Sequence, residues 1–420
     1  MKIVFSTTII LFVFLSLVFS QEDAMEYPFT MEVKQPLMSG SVVSYDVAGL
    51  QVGLEDSTLE WRVMQRKNNE LLPLLTQIDI DGGTKVYWRL ADACSKGEKL
   101  DFVLKKIVKT KENQVISYVD NGKDITFLSE SGQGIFTYRY TDMPVPEGVS
   151  QVFSRSGFVH PLKTLQGNVV TRIQPSDHYH HYGLWGPWVQ TEYRGEEIDF
   201  WNLSRELGTV RHSEIVSIST GPLFQELKVL LHHIIHPGRG EEVVMQELRT
   251  YRIWLSAGEK STWFLDAESQ YNMQGSDPLT IKEYRYQGFS FRGPQHWNDE
   301  DVTVITSQGK NKSDGNATRA RWIQVAGPGD VSGQASIVTM TYPSNFNYPE
   351  LLRIWPTGTN NSKGNVFVNF NPTQDRDWIF YPGQTYTLRY RIVLSDQTWT
   401  TDQLNQWHDN YIQKNYQILR

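Results

Sequence analysis

Leu223-Phe-Gln-Glu-Leu-Lys-Val-Leu-Leu-His-His-Ile-Ile235, Val243-Val-Met-Gln-Glu-Leu-Arg-Thr-Tyr-Arg-Ile-Trp-Leu255 and Ser261-Thr-Trp-Phe-Leu-Asp-Ala-Glu-Ser-Gln-Tyr271 follow one another along the chain. Each alternates apolar with polar residues and is rich in β-branched and aromatic side chains. That period of two puts every second side chain on one face of a strand. Shorter segments of the same kind lie on both sides: Val42–Val47, Lys85–Leu90, Asp124–Leu128 and Gly134–Tyr140 before, Val302–Ser307, Ala335–Tyr342 and Thr385–Leu394 after. Asp81-Gly82-Gly83 and Asn121-Gly122 are hairpin signals. No long amphipathic helix separates these strands, so the expected fold is all-β, a large antiparallel β-sandwich. One short helix is expected at the end. Thr400-Thr401-Asp402 offers an N-cap, and Leu404, Trp407 and Tyr411 then recur at helical spacing. His408 beside them reads as a surface or packing residue of that helix.

The segment richest in chemistry is Pro175-Ser-Asp-His-Tyr-His-His-Tyr-Gly-Leu-Trp-Gly-Pro-Trp188. Histidine titrates nearest neutrality and ligates metals, so His178, His180 and His181 are the first candidates for acid–base work. Proline and Gly183 bracket the run, which places it in a loop at a sheet edge. If extended, it would send His178, His180 and Tyr182 one way and Asp177 and His181 the other. His178-x-His180 could chelate a metal, with His160, Glu192, Glu283 or His296 as a third ligand. No His-Glu-x-x-His or cysteine pair supports this, so no metal is assigned and no cofactor is expected, with a divalent ion as the alternative. His232-His233-x-x-His236 reads as strand-end surface.

The pattern His160-Pro161, Gly167-Asn-Val-Val-Thr171, Pro175-x-Asp177-His178-x-His180-His181-x-Gly183-Leu184-Trp185, Lys282-Glu283 with Gly288 and Arg292, Arg319-x-Arg321-Trp322, Tyr342-Pro-Ser-Asn345 and Asn371-Pro372 resembles a bacterial family catalogued under the methane oxygenase name PmoA. The resemblance runs from about residue 150 to 395. It departs at Tyr182, where the family usually carries arginine. The name's chemistry is set aside, because a membrane oxygenase needs several apolar spans of about 20 residues and the chain after its first 20 residues has none. What the resemblance implies is a sandwich of the galactose-mutarotase type, the fold beneath many polysaccharide lyases, which binds sugars across a concave sheet face. It also implies an acid–base role for Glu283 near the histidines.

Lys2 and the apolar run Ile9–Phe19 read as a signal peptide over residues 1–20, giving an exported protein, periplasmic or secreted. The remainder divides into an N-terminal β region of the sandwich (21–150), a β-sandwich core carrying the site (151–398) and a C-terminal helix (399–420). The single Cys94 excludes an intramolecular disulfide, and a formal charge of −7 without a basic run argues against nucleic acid. Thirteen tryptophans in 420 residues supply flat faces that suit sugar rings as well as large cores. Nothing in the sequence sets the oligomeric state.

These features point to an exported carbohydrate-active enzyme acting on uronic-acid-containing oligosaccharides by β-elimination, as a lyase or dehydratase, in breakdown of an acidic cell-wall polysaccharide such as ulvan. Abstraction of the C5 proton needs a base, an acid for the leaving oxygen at C4, and a cation facing the carboxylate. His178, His180, His181, Tyr182 and Glu283 are the catalytic candidates, with Tyr179 a further source of acid or base. His160, Asp177, Trp185, Arg292, Arg321 and Arg353 are the substrate-binding candidates. The alternatives are a sugar epimerase, a metal-assisted glycoside hydrolase, and a carbohydrate-binding protein without turnover.

Overall fold

The computed structural model describes residues 26–48, 59–79, 84–108, 118–254, 261–412 and 415–419. The expected signal peptide and the Asp81–Gly83 hairpin lie outside the described residues. The three long alternating stretches form the strands Phe224–Ile235, Glu242–Trp254 and Thr262–Met273. They are central to an eight-stranded antiparallel sheet that continues through Thr385–Ser395, Gln334–Thr341, Trp322–Pro328 and Thr303–Thr306, with Gly208–Thr220 at the other edge. Period-two burial shows why they sit there. Leu227, Val229 and Leu231 are fully buried, while Lys228, Leu230 and His232 between them are only partly so. Each large apolar side chain removed from water in this way contributes about 2–3 kcal/mol.

A second eight-stranded sheet packs against the first through one continuous core. In spatial order its strands are Leu351–Ile354, Phe367–Asn371, Phe289–Arg292, Leu184–Trp185, Phe158–Leu162, Gly134–Arg139, Asp124–Leu128 and Tyr118–Asp120. Leu352, Ile354, Val368, Phe291, Leu184 and Val159 point into that core. Their alternate neighbours Arg353, Phe367, Arg292, Trp185 and Phe158 therefore lie on the outer face, and that face carries the candidate site. The outer face of the first sheet is covered by the helix Thr401–Ile412, whose Leu404 and Trp407 pack on Trp322, Val338 and Val393. Thr400 and Gln403 cap it reciprocally, side chain to backbone at 3.3 and 3.1 Å. His408 is buried and its Nε2 donates to the Thr341 carbonyl at 3.2 Å, a packing role. No described helix is long and apolar enough to cross a membrane.

The fold is the expected antiparallel sandwich, but its partition differs from the expected one. The strands from Tyr118 to Arg139 belong to the main sandwich, whereas residues 26–108 build a separate module around Phe29, Trp61, Trp88 and Phe102. The boundary therefore falls before residue 118 rather than at 150. The segment 399–420 is also not helical throughout, since Tyr416–Leu419 is a strand paired antiparallel with Glu26–Val33 of that module. Side chains join module and sandwich. Gln77 accepts from the amides of Leu223 and Phe224 at 3.0 Å each and donates to the Phe224 carbonyl, while Arg252 reaches Asp79 and Glu226 at 2.5 Å and Tyr87 at 2.9 Å.

Candidate functional site: a histidine and aromatic centre on the outer sheet face

The histidine run is not extended. His178 donates its amide to the Pro175 carbonyl at 2.8 Å and His181 donates to the His178 carbonyl at 3.0 Å, so the segment folds into consecutive tight turns. The turns are clamped at their base, where the Gln174 amide reaches the His181 carbonyl, Gly183 reaches Arg172, and Arg292 reaches Gly183, all at 2.8–2.9 Å. Gly183 is required at the last of these. Its φ is +60°, and a Cβ there would fall 2.2 Å from the Val159 carbonyl oxygen.

The turns put all three imidazoles on one side, correcting the two-faced arrangement expected of an extended run. His178 stacks on His181 at 4.7 Å, and His180 meets both edge-on at 5.4 and 4.8 Å. His181 rests on Phe367 at 5.1 Å and on Trp185 at 5.2 Å, and Trp185 continues to Trp201 at 5.0 Å. Trp355 closes the other side, 4.9 Å from His178.

Asp177 organises the charge. One of its oxygens accepts from Arg292 at 2.7 Å, faces the Nδ1 of His178 at 3.0 Å and accepts from the Asn360 side chain. Burial opposes its charge, yet the His178 bond, the Arg292 charge and the Asn360 bond outweigh burial and hold the carboxyl well below its ordinary range. With Nδ1 turned to the carboxylate, His178 keeps Nε2 as the basic nitrogen. Its side chain is 34% exposed. Burial, with the nearby positive groups, pushes His180 down to about 3 and holds His181 well below the usual value, so both rings are neutral at ordinary pH.

Arg292 is wholly enclosed. Burial first and the Arg172 charge second, against Asp177, bring it down to about 10, and its guanidinium lies 4.3 Å from the Trp355 ring. Arg172 and Arg292 both donate to the Gly364 carbonyl, at 2.7 and 2.9 Å. Nε and Nη1 of Arg292, Nδ1 of His181 and the indole nitrogens of Trp185 and Trp201 are buried with no protein partner. So many unpaired polar groups in one place cost stability and would be satisfied by a polar ligand.

Several expected residues lie elsewhere or do other work. Tyr182 is fully buried, donates its hydroxyl proton to the Phe153 carbonyl and accepts from Gln174, and burial pushes it up to about 12. It is a core residue rather than an acid or base. Glu283 is exposed on a loop where its amide meets Asp377, with no described contact to the histidines. Arg321 binds Asn405 at 3.0 Å and Asp409 at 3.7 Å, tying the C-terminal helix instead of facing the centre. The His160 Nδ1 meets Thr171 at 3.0 Å, and burial holds the ring down to about 4. Arg353 lies on the correct face but at the rim, held by Asn316 at 3.1 Å. Glu192 pairs with Lys282 and His296 donates to Pro328, so neither completes a metal site. Among the described residues no group of three or more His, Cys, Asp or Glu is placed to hold a metal ion. His233, expected at the surface, is fully buried against Glu247 at 3.0 Å, whereas His236 is half-buried and pairs with Glu196. Trp355 and Asn360 were not anticipated. The glycine and asparagine cluster Gly358–Gly364 that presents Asn360 was the only signal, and there Asn360, Asn361 and Ser362 all adopt positive φ.

No curated protein sequence matches the chain. Among solved structures, an alpha-galactosidase from Lactobacillus brevis is similar over 66% of this chain and 38% of its own, at 10% identity and a TM-score of 0.32. A TPR-domain containing protein from Parabacteroides distasonis is similar over 90% of this chain and 56% of its own, at 10% identity and a TM-score of 0.21. The chain thus spans less than two thirds of either, and neither likeness bears on the chemistry of the histidine centre. A family profile matches residues 127–409, most of the sandwich and all of the centre, and the chain belongs to that family of unknown function, DUF6807.

Proposed function

We propose that this protein is an exported carbohydrate-active enzyme that degrades acidic glycans by β-elimination from uronic-acid residues. The observation that carries the reading is the Asp177–His178 pair set against Arg292, a carboxylate-oriented imidazole beside a buried cation. In this reading Nε2 of His178 removes the proton at C5. The electron pair forms the C4–C5 double bond as the C4–O bond breaks, and the proton on His178 is returned to the departing oxygen. Arg292, with Nε and Nη1 unpaired, balances the charge that builds on the sugar carboxylate during C5 deprotonation. The Trp355 indole beside it supplies an apolar face for the sugar. Trp355 covers the guanidinium, so substrate reaches it once that ring swings aside.

The test is incubation with a panel of acidic oligosaccharides, followed by mass analysis and ultraviolet absorbance of the products. Loss of water, or cleavage with a new absorbing double bond, is the expected result. Cleavage by addition of water, isomerisation at unchanged mass, or tight binding without a product would replace the reading with hydrolysis, epimerisation or recognition alone.

A further inference from the structure

Next to the histidine centre lies a platform that the elimination chemistry does not use. Residues 282–287 form a loop fixed from below by the buried Gln287. Its Nε2 donates to the Lys282 carbonyl and to Thr373, both at 2.6 Å, and its Oε1 accepts from the amides of Val189 and Gln190 at 3.1 Å. Asn371 and Gln374 hold the carbonyls of Tyr284 and Arg285 at 2.7 and 2.9 Å. The loop backbone is therefore preorganised. The Tyr284 and Tyr286 rings lie 5.1 Å apart, with the Arg285 guanidinium 5.7 and 5.5 Å from them. Tyr286 continues into the centre through Trp201 at 5.5 Å, and Trp201 lies 6.4 Å from His181.

Arg353 faces the same platform. Its neighbours Leu352 and Ile354 are in the core, so its own side chain stands on the outer face, where Asn316 holds one nitrogen while Nε is buried and unpaired. Across the strands Arg353 pairs with Asn369, whose side-chain amide donates to the Gln287 carbonyl at 2.9 Å, so Arg353 stands beside the loop that carries Arg285; burial, with the Arg285 charge, lowers the pKa of Arg353. Neither has a carboxylate at ion-pair distance among the described residues. In the first eight-stranded sheet Arg249, Arg252, Arg389 and Arg391 each have one. Two like charges held close without a counter-charge are unfavourable unless an anion joins them.

Resting on the sugar reading above, we propose that Arg285 and Arg353, with Tyr284 and Tyr286, form a second subsite that binds an anionic substituent, a carboxylate or a sulfate ester, on the sugar next to the one at the histidines. The substrate is then an oligosaccharide acidic on adjacent residues.

The experiment is calorimetric titration of the full-length protein and of Arg285→Gln and Arg353→Gln with three probes. These are glucuronate, an unsulfated glucuronic-acid tetrasaccharide, and a tetrasaccharide alternating glucuronic acid with a sulfated neutral sugar. Each substitution is expected to weaken tetrasaccharide binding about tenfold, the scale of one charge-assisted hydrogen bond. It should also flatten the salt dependence and leave glucuronate affinity unchanged. The tetrasaccharide that suffers more identifies the anion. Arg285 is exposed, so its variant folds irrespective of the outcome at the half-buried Arg353. Unchanged tetrasaccharide affinity in both variants overturns the subsite and leaves the elimination reading standing. Failure of the unsubstituted protein to bind any of the three probes overturns both.

Discussion

The indole of Trp355 lies 4.3 Å from the guanidinium carbon of Arg292, on a cation that is also bound to Asp177 at 2.7 Å. A desolvated cation against tryptophan is worth more than one at the surface, about 1–2 kcal/mol. Trp355→Phe, which keeps a ring in place, should lower stability by about 1 kcal/mol in urea denaturation. Much of that loss should vanish in an Arg292→Gln background. A double-mutant cycle with no coupling energy would separate the ring from the cation.

Asp177 and His178 act together in the proposed chemistry. His178→Ala is expected to cut turnover on a confirmed substrate by about 100-fold or more, the scale of one general base. Asp177→Asn should also lower it by failing to fix the imidazole tautomer. Tyr182→Phe should leave turnover near normal and cost about 1 kcal/mol of stability, since its hydroxyl serves the Phe153 carbonyl. Near-normal turnover in His178→Ala would transfer the base to another residue.

Gly183 cannot carry a side chain. With φ at +60° and backbone oxygen 2.2 Å from a would-be Cβ, Gly183→Ala should lose at least about 3 kcal/mol or fail to accumulate in soluble form. Gly97→Ala, at positive φ but with nothing within 4 Å, should lose only about 1 kcal/mol. Similar melting temperatures for the two variants would refute the close-contact argument.

Glu350 gives the fold a pH dependence near neutrality. It is fully buried among Thr341, Asn345 and Tyr390, and burial outweighs those hydrogen bonds and pushes it up to about 7. The folded state therefore prefers the protonated acid. That contribution is complete below the unfolded value near 4.5 and is lost as pH rises through about 7, an effect of roughly 3 kcal/mol. His180 and His181 act in the opposite sense, excluding the charged form, so their contribution is lost as pH falls below the ordinary imidazole value, for His180 toward about 3. The measurement is thus the stability difference between wild type and Glu350→Gln, which should move in the variant's favour from pH 5 to 8. A difference that stays constant would place the carboxyl at an ordinary pKa.

The long strands were legible because period-two alternation survives in any sheet buried on one face, as at Leu227, Val229 and Leu231. The helix was legible from its cap and from Leu404, Trp407 and Tyr411. The histidine turns were only half legible. Proline and Gly183 marked a loop, but which way each ring points depends on the Pro175–His178 and His178–His181 bonds, which leave no periodic trace. Arg292 and Arg321 look alike in sequence, each beside aromatic residues, the one ending a strand and the other just preceding one. They part because they belong to different sides of the sandwich, Arg292 under the histidine turns and Arg321 at the start of a strand under the helix, bound to Asn405. Asn360 was out of reach, since its partner Asp177 lies 183 residues away and a left-handed turn delivers it.

The strand Tyr416–Leu419 pairs with Glu26–Val33, nearly the whole chain apart. Residues 26–108 therefore lack this strand until residues 416–419, synthesised long afterwards, have emerged from the ribosome. During synthesis Glu26–Val33 has an open edge, available to a neighbouring nascent chain, for as long as the entire sandwich takes to be made. Removal of residues 416–419 would leave the histidine face untouched and make that edge permanent, so such a variant would fail through self-association.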